Sequence, residues 1–421
     1  MGRQVYIVNI EPLETRYTGH WYKYLPEQIE AYAYTNGKHL YVKSCQNIDG
    51  EELSSDTGAA FLNFVSTTNY KATQIARIAE LFNTGDVQPG DIFLVTDAWN
   101  PCAHMIRYMS LLTNTPVKMF GIWHAGSYDE SDIIARTFEE NNRTSWARDE
   151  ERALFRLFDL NFVATDYHKN LIERAFGPIH NLAVVGFPME YYPKLDSETF
   201  WLLAEENEEA AAIHPAWEQK KNKVIFPHRL SDEKRSDVFD EMIPILERAG
   251  IECVVAQRMN LTKEEYHKEL RESKFVFSAN EQETLGIGTF EAMAAGAIPM
   301  VPYDLSYVEI YGEYDDCADG HLHLLHSKLA QGNRNIPERE QLYQYHIPFT
   351  YDPELRNSPS VLAQLLTQKM MVANTGIFNP RGLNQRALFY NIVQDIFQIY
   401  FNGSAMYSLI DAEMEDLNDE Q

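Results

Sequence analysis

The chain has 421 residues, 45% of them hydrophobic, and a formal net charge of −26. That is enough for two globular domains with real cores, and the acidity weighs against a polyanionic substrate held by long-range attraction. No apolar run approaches the roughly 20 residues of a membrane-spanning helix, and the opening Met1-Gly-Arg-Gln-Val-Tyr-Ile-Val has no signal-peptide pattern. Cys45, Cys102, Cys253 and Cys317 are scattered without a CxxC pair, which fits a reducing compartment and a cytoplasmic protein with no membrane partner. Much of the charge is local. Residues 196–209 hold six acids and no base, and residues 411–420 hold six more; both read as solvated or disordered segments.

In chain order, residues 5–9 form a short apolar strand, and residues 22–34 a helix that follows an aromatic loop, Tyr17-Thr-Gly-His-Trp21. A strand is expected at 39–43. A helix is expected at 70–82, where Ile75, Ile78, Ala79 and Phe82 share one face. The run Ile92-Phe-Leu-Val95, bounded by Pro89-Gly90 and Asp97, reads as a buried strand. Further elements follow: helix 102–112, strand 117–123, helix 148–158, strand 161–164, helix 168–176 and strand 183–185. Composition then changes after Gly186-Phe-Pro188, and residues 191–223 are polar and acidic. A second alternating series begins at strand 224–226. Helix 237–247 follows, with Gly250 as its C-cap, then strand 252–256, helix 263–271, strand 275–278, helix 289–295 and strand 298–301. Helix 383–401 is apolar on one face and expected to pack back toward the first domain.

Two alternating β/α series imply two parallel, doubly wound α/β domains facing across a cleft, with ligands beyond the carboxyl ends of the strands. The expected boundaries are 1–190, then 191–382 with an acidic helical insertion at 196–221, then a C-terminal helix and acidic tail at 383–421.

The most informative string is Phe275-Val-Phe-Ser-Ala-Asn-Glu-Gln-Glu283-Thr-Leu-Gly-Ile-Gly-Thr-Phe-Glu291. A buried strand ends, a loop follows, and a helix opens near Gly288, giving free N–H groups that suit an anion. Gly286 and Gly288 let a ligand approach the backbone. Glu291, one turn into the helix, suits a ribose diol, and Glu283 at the strand end suits hydroxyls of a bound sugar. The plainer alternative is a strand–loop–helix with glycine in the turn and an acid near the helix start.

The full string resembles the retaining GT-B glycosyltransferases of the sucrose-synthase-like group. There two acids separated by seven residues precede Ala-Met-Ala-x-Gly-x-Pro, as Glu283 and Glu291 precede Ala292-Met-Ala-Ala-Gly-Ala-Ile-Pro299. Upstream, Arg229-Leu-Ser-Asp-Glu-Lys234 resembles the Arg-Leu-x-x-x-Lys whose cations hold the donor diphosphate. The plainer role for Arg229 and Lys234 is a salt bridge with Asp232 or Glu233.

Phe120-Gly-Ile-Trp-His124 resembles the strand whose final His faces the donor sugar; a structural His at a strand end is the alternative. The segment 11–19 stands where the family has a Gly-Gly loop, with Gly19 its glycine. The likeness spans about residues 118–302. It implies retention of anomeric configuration by front-face displacement, with Arg229, Lys234, Glu283 and His124 at the reacting centre. It also implies donor contacts from Glu291, Thr284, Leu285, Gly286, Ile287, Gly288 and Gly19, and a UDP-sugar as donor. No metal or other cofactor is expected. Contacts to the donor base are expected from backbone near 257–261.

Cys317, His321, His323 and His326 fit no standard zinc spacing, and Asp315-Asp316 is not an Asp-x-Asp site. The acceptor is the less legible partner. Tyr17, His20, Trp21, Tyr22 and Tyr24 suit stacking on an extruded base. Arg148, Arg152 and Arg156, with Arg143 before them, suit phosphates. Against this, such aromatics commonly pack a core edge, and Asp149, Glu150 and Glu151 offer the arginines local partners. Residues 6–18 and 276–287 resemble phage-encoded glycosyltransferases that modify hydroxymethylated pyrimidines in DNA. DNA is therefore the first acceptor to test. A glycan, lipid or small-molecule acceptor is the second, and a non-catalytic nucleotide-sugar-binding protein the reading of another class.

Overall fold

The computed structural model describes residues 3–14, 16–36, 42–51, 64–192, 220–312, 349–374 and 383–419. The chain forms two compact units. One comprises Met1–Tyr191 with Tyr400–Gln421, and the other Tyr192–Ile399.

Unit 1 is built on a six-stranded, wholly parallel sheet in the order β2-β1-β3-β4-β5-β6. The strands are β1 (Arg3–Val8), β2 (Val42–Ile48), β3 (Ile92–Val95), β4 (Lys118–Ile122), β5 (Leu160–Val163) and β6 (Leu182–Val184). Helices α1 (Tyr17–Thr35), α2 (Phe64–Thr84), α3 (Cys102–Leu112), α4 (Ile133–Glu140), α5 (Thr144–Leu157) and α6 (Asp166–Phe176) connect them. The continuous apolar run of β3 is buried at every position, as a strand covered on both faces requires.

Unit 2 repeats the plan with β7 (Lys221–Phe226), α7 (Ser236–Arg248), β8 (Glu252–Val255), α8 (Lys263–Glu272), β9 (Ser273–Phe277), α9 (Ile287–Ala294), β10 (Ile298–Pro302), α10 (Ser306–Tyr311) and β11 (Thr350–Tyr351). Its parallel sheet runs β11-β10-β9-β7-β8. Helices α11 (Pro359–Val372) and α12 (Leu383–Tyr400) follow. The small residues Ala292, Ala295 and Ala297 share a buried cluster with Ile225, Val254 and Val276. This lets α9 lie close on the sheet. Gly296, at φ +84°, ends that helix in the left-handed conformation favoured there.

Several expectations change. Residues 17–21 are the first turn of α1 and not a loop. The strand expected at 39–43 is β2, Val42–Ile48. Short α4, absent from the expected elements, begins at an Asp132 cap that accepts from the Ile134 N–H. The acidic tail is not loose: Ser404–Asp419 is helical (α13), and Met406, Ile410 and Asp411 on it are buried. The last segment also divides, since α12 up to Ile399 counts with unit 2 and only Tyr400 onward with unit 1. The insertion at 196–221 lies outside the described residues except for its last two positions. Among the described residues no helix is long and apolar enough to cross a membrane.

Candidate functional site

Both sheets have a point where the strand order reverses, and ligands of such folds gather beyond the carboxyl ends of the strands there. In unit 2 that point lies between β7 and β9, and the loops leaving them carry Arg229, Lys234 and Glu283.

These loops are stapled together. The Glu281 N–H donates to the Glu233 carbonyl (2.8 Å). Arg235 bridges Asp237 (3.0 Å) and Glu281 (2.5 Å). Its backbone sits at φ +53°, a conformation that persists in a non-glycine residue only where neighbours hold it. The consequence is at Lys234, which is buried. Its ammonium donates to the Gln282 carbonyl and Oε1 (3.2 Å) and lies 3.3 Å from Glu283 Oε2. Burial acts to raise the Glu283 pKa, but Lys234, then His228 and the Leu285 N–H, hold it below the usual range. The carboxylate is thus kept ionised beside a cation.

Arg229 is half-buried and engages Glu233. Nε reaches Oε1 at 2.8 Å and Nη2 reaches it at 2.5 Å, while Nε also meets Ser231 Oγ (2.9 Å). The plainer role is therefore present at Arg229, but Lys234 turns to Glu283 and not to Asp232 or Glu233.

The helix after this loop opens at Ile287, two residues before the expected 289. Gly286 is the N-cap of α9 at φ +86°, and a Cβ there would meet the Tyr307 ring at 2.8 Å. The fold itself requires that glycine. Gly288 differs: an added Cβ would meet only Pro227, at 3.5 Å, and Tyr266 Oη beyond, at 3.7 Å. Packing therefore does not require glycine there. Thr284, Leu285 and Ile287 complete the turn, with Leu285 buried.

Glu291 lies in the second turn of α9 and is buried. A Thr262–Glu265 capping box fixes the start of α8. From that helix Tyr266 donates to Glu291 Oε2 (3.2 Å) and Lys263 lies 3.5 Å from Oε1. The 257–261 backbone leaves β8 through the short turn Ala256–Arg258, where Arg258 grips Asp240 at 2.6 and 2.7 Å.

Sequence reasoning missed the supporting groups His228, Asn280, Tyr307 and Arg356. Asn280 Nδ2 donates to Glu283 Oε2 (3.1 Å) and to Tyr307 Oη (3.1 Å), and Arg356 Nη2 donates to the Asn280 carbonyl (2.5 Å). His228 and Asn280 were detectable as polar residues just past buried strands. Tyr307 and Arg356 come from distant sequence with no motif around them.

Unit 1 has its own switch point between β1 and β3. There Lys71 lies between Asp97 (2.9 Å) and Glu11 (3.5 Å). His124 Nε2 faces the Thr96 carbonyl (2.7 Å), and Nδ1 faces Tyr17 Oη at 3.5 Å. Burial leads in pressing its pKa down, against the pull of Asp97. The ring packs among Tyr17, Trp21 and Phe187, the surroundings of a structural histidine. Gly19 lies inside α1 and not in a loop, and a Cβ there would stand 2.7 Å from the Leu13 carbonyl oxygen. Its small size serves the chain's own packing.

Of the aromatics at the start of α1, only Trp21 turns fully inward. Trp21 is buried, donates to the Pro188 carbonyl (2.7 Å) and packs on Phe187, with ring centroids 4.4 Å apart. Arg152 pairs with Asp149 (2.9 Å), and Arg148 lies 3.9 Å from Glu130.

The buried Glu151 of α5 accepts from the N–H and hydroxyl of Ser127, on the loop after β4, each at 2.6 Å. Burial lifts its pKa to about 7. Cys317, His321, His323, His326 and Asp315-Asp316 lie outside the described residues.

No protein-family model and no curated protein sequence matches the chain. Solved structures do. The sucrose-phosphate synthase of Thermosynechococcus elongatus superposes with a TM-score of 0.54 at 10% identity, each chain covered fully. An α,α-trehalose-phosphate synthase (UDP-forming) of Burkholderia vietnamiensis gives 0.48 at 11% identity, with 99% of each chain covered. A chain of the GtfA/B complex gives 0.41 at 13% identity, over 82% of this chain; this chain spans 61% of that one. The full-length match and the two parallel-sheet units identify a two-domain, Rossmann-like GT-B fold.

Proposed function

We propose that the protein is a glycosyltransferase that moves a sugar from a nucleotide-sugar donor, a UDP-sugar, to a hydroxyl acceptor with retention of configuration. The observation that supports this most is the buried Lys234–Glu283 pair at the switch point of unit 2, beside Arg229 and the glycine-capped start of α9. Cations and open helix N–H groups suit a diphosphate, and an ionised carboxylate next to them suits sugar hydroxyls. In the reaction proposed, the acceptor oxygen bonds to the anomeric carbon on the face from which the diphosphate departs. The carbon–oxygen bond to phosphate breaks, and the departing phosphate takes the acceptor proton. Arg229, Lys234 and the α9 N-terminus stabilise the charge growing on the diphosphate. Glu283 positions the sugar, and Glu291 accepts the ribose hydroxyls. Arg229 and Lys234 supply the positive charge that a metal supplies elsewhere.

Incubation with UDP-, ADP- and GDP-sugars tests this, reading nucleotide release and, by NMR, the anomeric configuration of the product. Arg229→Ala should slow release at least tenfold; release by the variant at the wild-type rate would overturn the assignment.

For the acceptor we propose a hydroxymethylated pyrimidine in DNA. Its support is the likeness of residues 6–18 and 276–287 to phage enzymes of that kind, together with the arginine row of α5. The inward packing of Trp21 removes it from the stacking candidates; Tyr17, His20 and Tyr24 are half-buried and Tyr22 is exposed. Digestion of treated hydroxymethylcytosine DNA to nucleosides, followed by mass spectrometry, is the test. No mass gain with any donor would reject DNA as the acceptor.

A further inference from the structure

His228 and Asn280 are both more than nine-tenths buried at the carboxyl ends of the adjacent strands β7 and β9. They face each other, with Asn280 Nδ2 3.5 Å from His228 Nδ1. The orientation of the amide follows from its neighbours. Its nitrogen donates to Glu283 Oε2 and Tyr307 Oη. Turning the amide over would set its oxygen against the Glu283 carboxylate. Asn280 Oδ1 therefore points elsewhere, and among the described residues it has no hydrogen-bond partner.

The ring of His228 follows the same logic. Burial, then Lys234, push its pKa down to about 3, so the ring is neutral. Nδ1 lies 3.5 Å from the amide nitrogen, which offers no acceptor to an N–H, so the ring proton lies on Nε2. That atom too has no partner among the described residues. The site thus presents one buried donor and one buried acceptor, beside Lys234 and Glu283. Buried polar atoms are rarely left unpaired in native folds.

What would satisfy both is restricted by chemistry. Phosphate oxygens only accept, so they would serve His228 Nε2 and repel Asn280 Oδ1. A hydroxyl both accepts and donates. We infer that His228 and Asn280 read a hydroxyl of the donor sugar, His228 donating to its oxygen and Asn280 accepting its hydrogen, and so set which sugar the protein takes. This rests on the reading of unit 2 as a nucleotide-sugar site.

The test compares wild type with His228→Phe, His228→Gln and Asn280→Ala by calorimetric titration. UDP, ADP and GDP are titrated alone, then as UDP-glucose, UDP-N-acetylglucosamine, ADP-glucose and GDP-mannose. Wild type should bind one nucleotide sugar more tightly than its nucleoside diphosphate. His228→Phe and Asn280→Ala should cut that ratio about tenfold and leave the nucleoside diphosphate within twofold. His228→Gln, whose amide nitrogen reaches the Nε2 position, should recover at least threefold and guards against a folding failure in the other two. An analogue of the preferred sugar lacking the hydroxyl in question should lose about tenfold on wild type and nothing further on Asn280→Ala.

An unchanged ratio in both variants would overturn the inference. So would an equal loss for nucleoside diphosphate and nucleotide sugar, which would assign the pair to the base or the phosphates. Wild type binding none of the seven compounds is a different failure: it defeats the nucleotide-sugar reading itself, and this inference with it.

Discussion

Replacing Lys234 with Met tests the centre of the site through stability, with no knowledge of substrate. The ammonium lies 3.3 Å from Glu283 Oε2, and the two side chains are 7% and 17% exposed, so solvent screens the pair little. At an effective dielectric of about 20, the gross attraction at that separation is about 5 kcal/mol. Removing one partner of a buried pair typically destabilises by about 3–5 kcal/mol, because the other charge is left uncompensated. Taking about 3 kcal/mol, a unit the size of Tyr192–Ile399 should melt about 6–12 °C lower at pH 7.

The pH dependence should also invert. In wild type the Glu283 pKa is depressed below its ordinary 4.5. Its contribution is therefore present above pH 4.5 and lost as pH falls through the lower folded value. Without Lys234, burial, the largest influence on the group, lifts the folded value above 4.5. The variant should then be least impaired below pH 4.5 and lose stability as pH rises through the raised value. Scanning calorimetry of the full chain from pH 4 to 8 gives both readings. A variant that melts within 1 °C of wild type across that range would refute the reasoning.

Four further outcomes follow from the structure. Gly286→Ala should lower stability by roughly 1–2 kcal/mol from its left-handed backbone alone, and more from the Tyr307 contact. Gly288→Ala should keep the wild-type melting temperature while weakening UDP binding severalfold; thermal melts paired with titrations separate the two. Glu291→Ala removes the acceptor of the Tyr266 hydroxyl and should weaken UDP binding at least tenfold by titration, an order set by loss of a charged hydrogen-bond acceptor. Glu151→Gln acts on pH dependence in unit 1. With a folded pKa raised to about 7 from 4.5, Glu151 contributes stability fully below pH 4.5 that is lost as pH rises through 7. Its amide variant should abolish a loss on the order of 3 kcal/mol, read as the change in melting temperature between pH 5 and 8.

What the sequence made legible was what depends on local pattern. The run Ile92-Phe-Leu-Val95 announces a doubly covered strand, and α3 begins and ends at the positions its periodicity marks. Glu283, Gly286 and Glu291 are visible because one strand, one turn and one helix hold them within a few residues. The reach of Lys234 across to Glu283 was not, because it depends on two loops stapled by the Glu281–Glu233 bond and by Arg235. The aromatic start of α1 misled for a related reason. Tyr17-Thr-Gly-His-Trp21 has the composition of a loop, yet Gly19 is set by the nearby Leu13 backbone, and Trp21 by a carbonyl 167 residues away. Contacts at such separations leave no periodic trace. The acidic 411–420 stretch misled by composition, since charge density alone does not register that Ile410 and Asp411 face inward.

The return of the chain to unit 1 bears on the order in which the molecule can be completed during synthesis. The Phe187 N–H donates to the Tyr400 carbonyl, the Met189 N–H to the Phe401 carbonyl, and the Gly403 N–H to Glu190. Tyr407 lies 3.3 Å from Glu190, and Lys118 on β4 pairs with Glu413 at 2.7 Å. The first unit to begin emerging from the ribosome is therefore the last to be finished. All of unit 2 is translated before α13 can dock beside β4. A stop codon a few codons after Tyr400 would spare the proposed donor residues entirely and leave unit 1 incomplete. Expressing residues 1–191 alone would yield a unit whose Lys118 and Glu190 lack these partners.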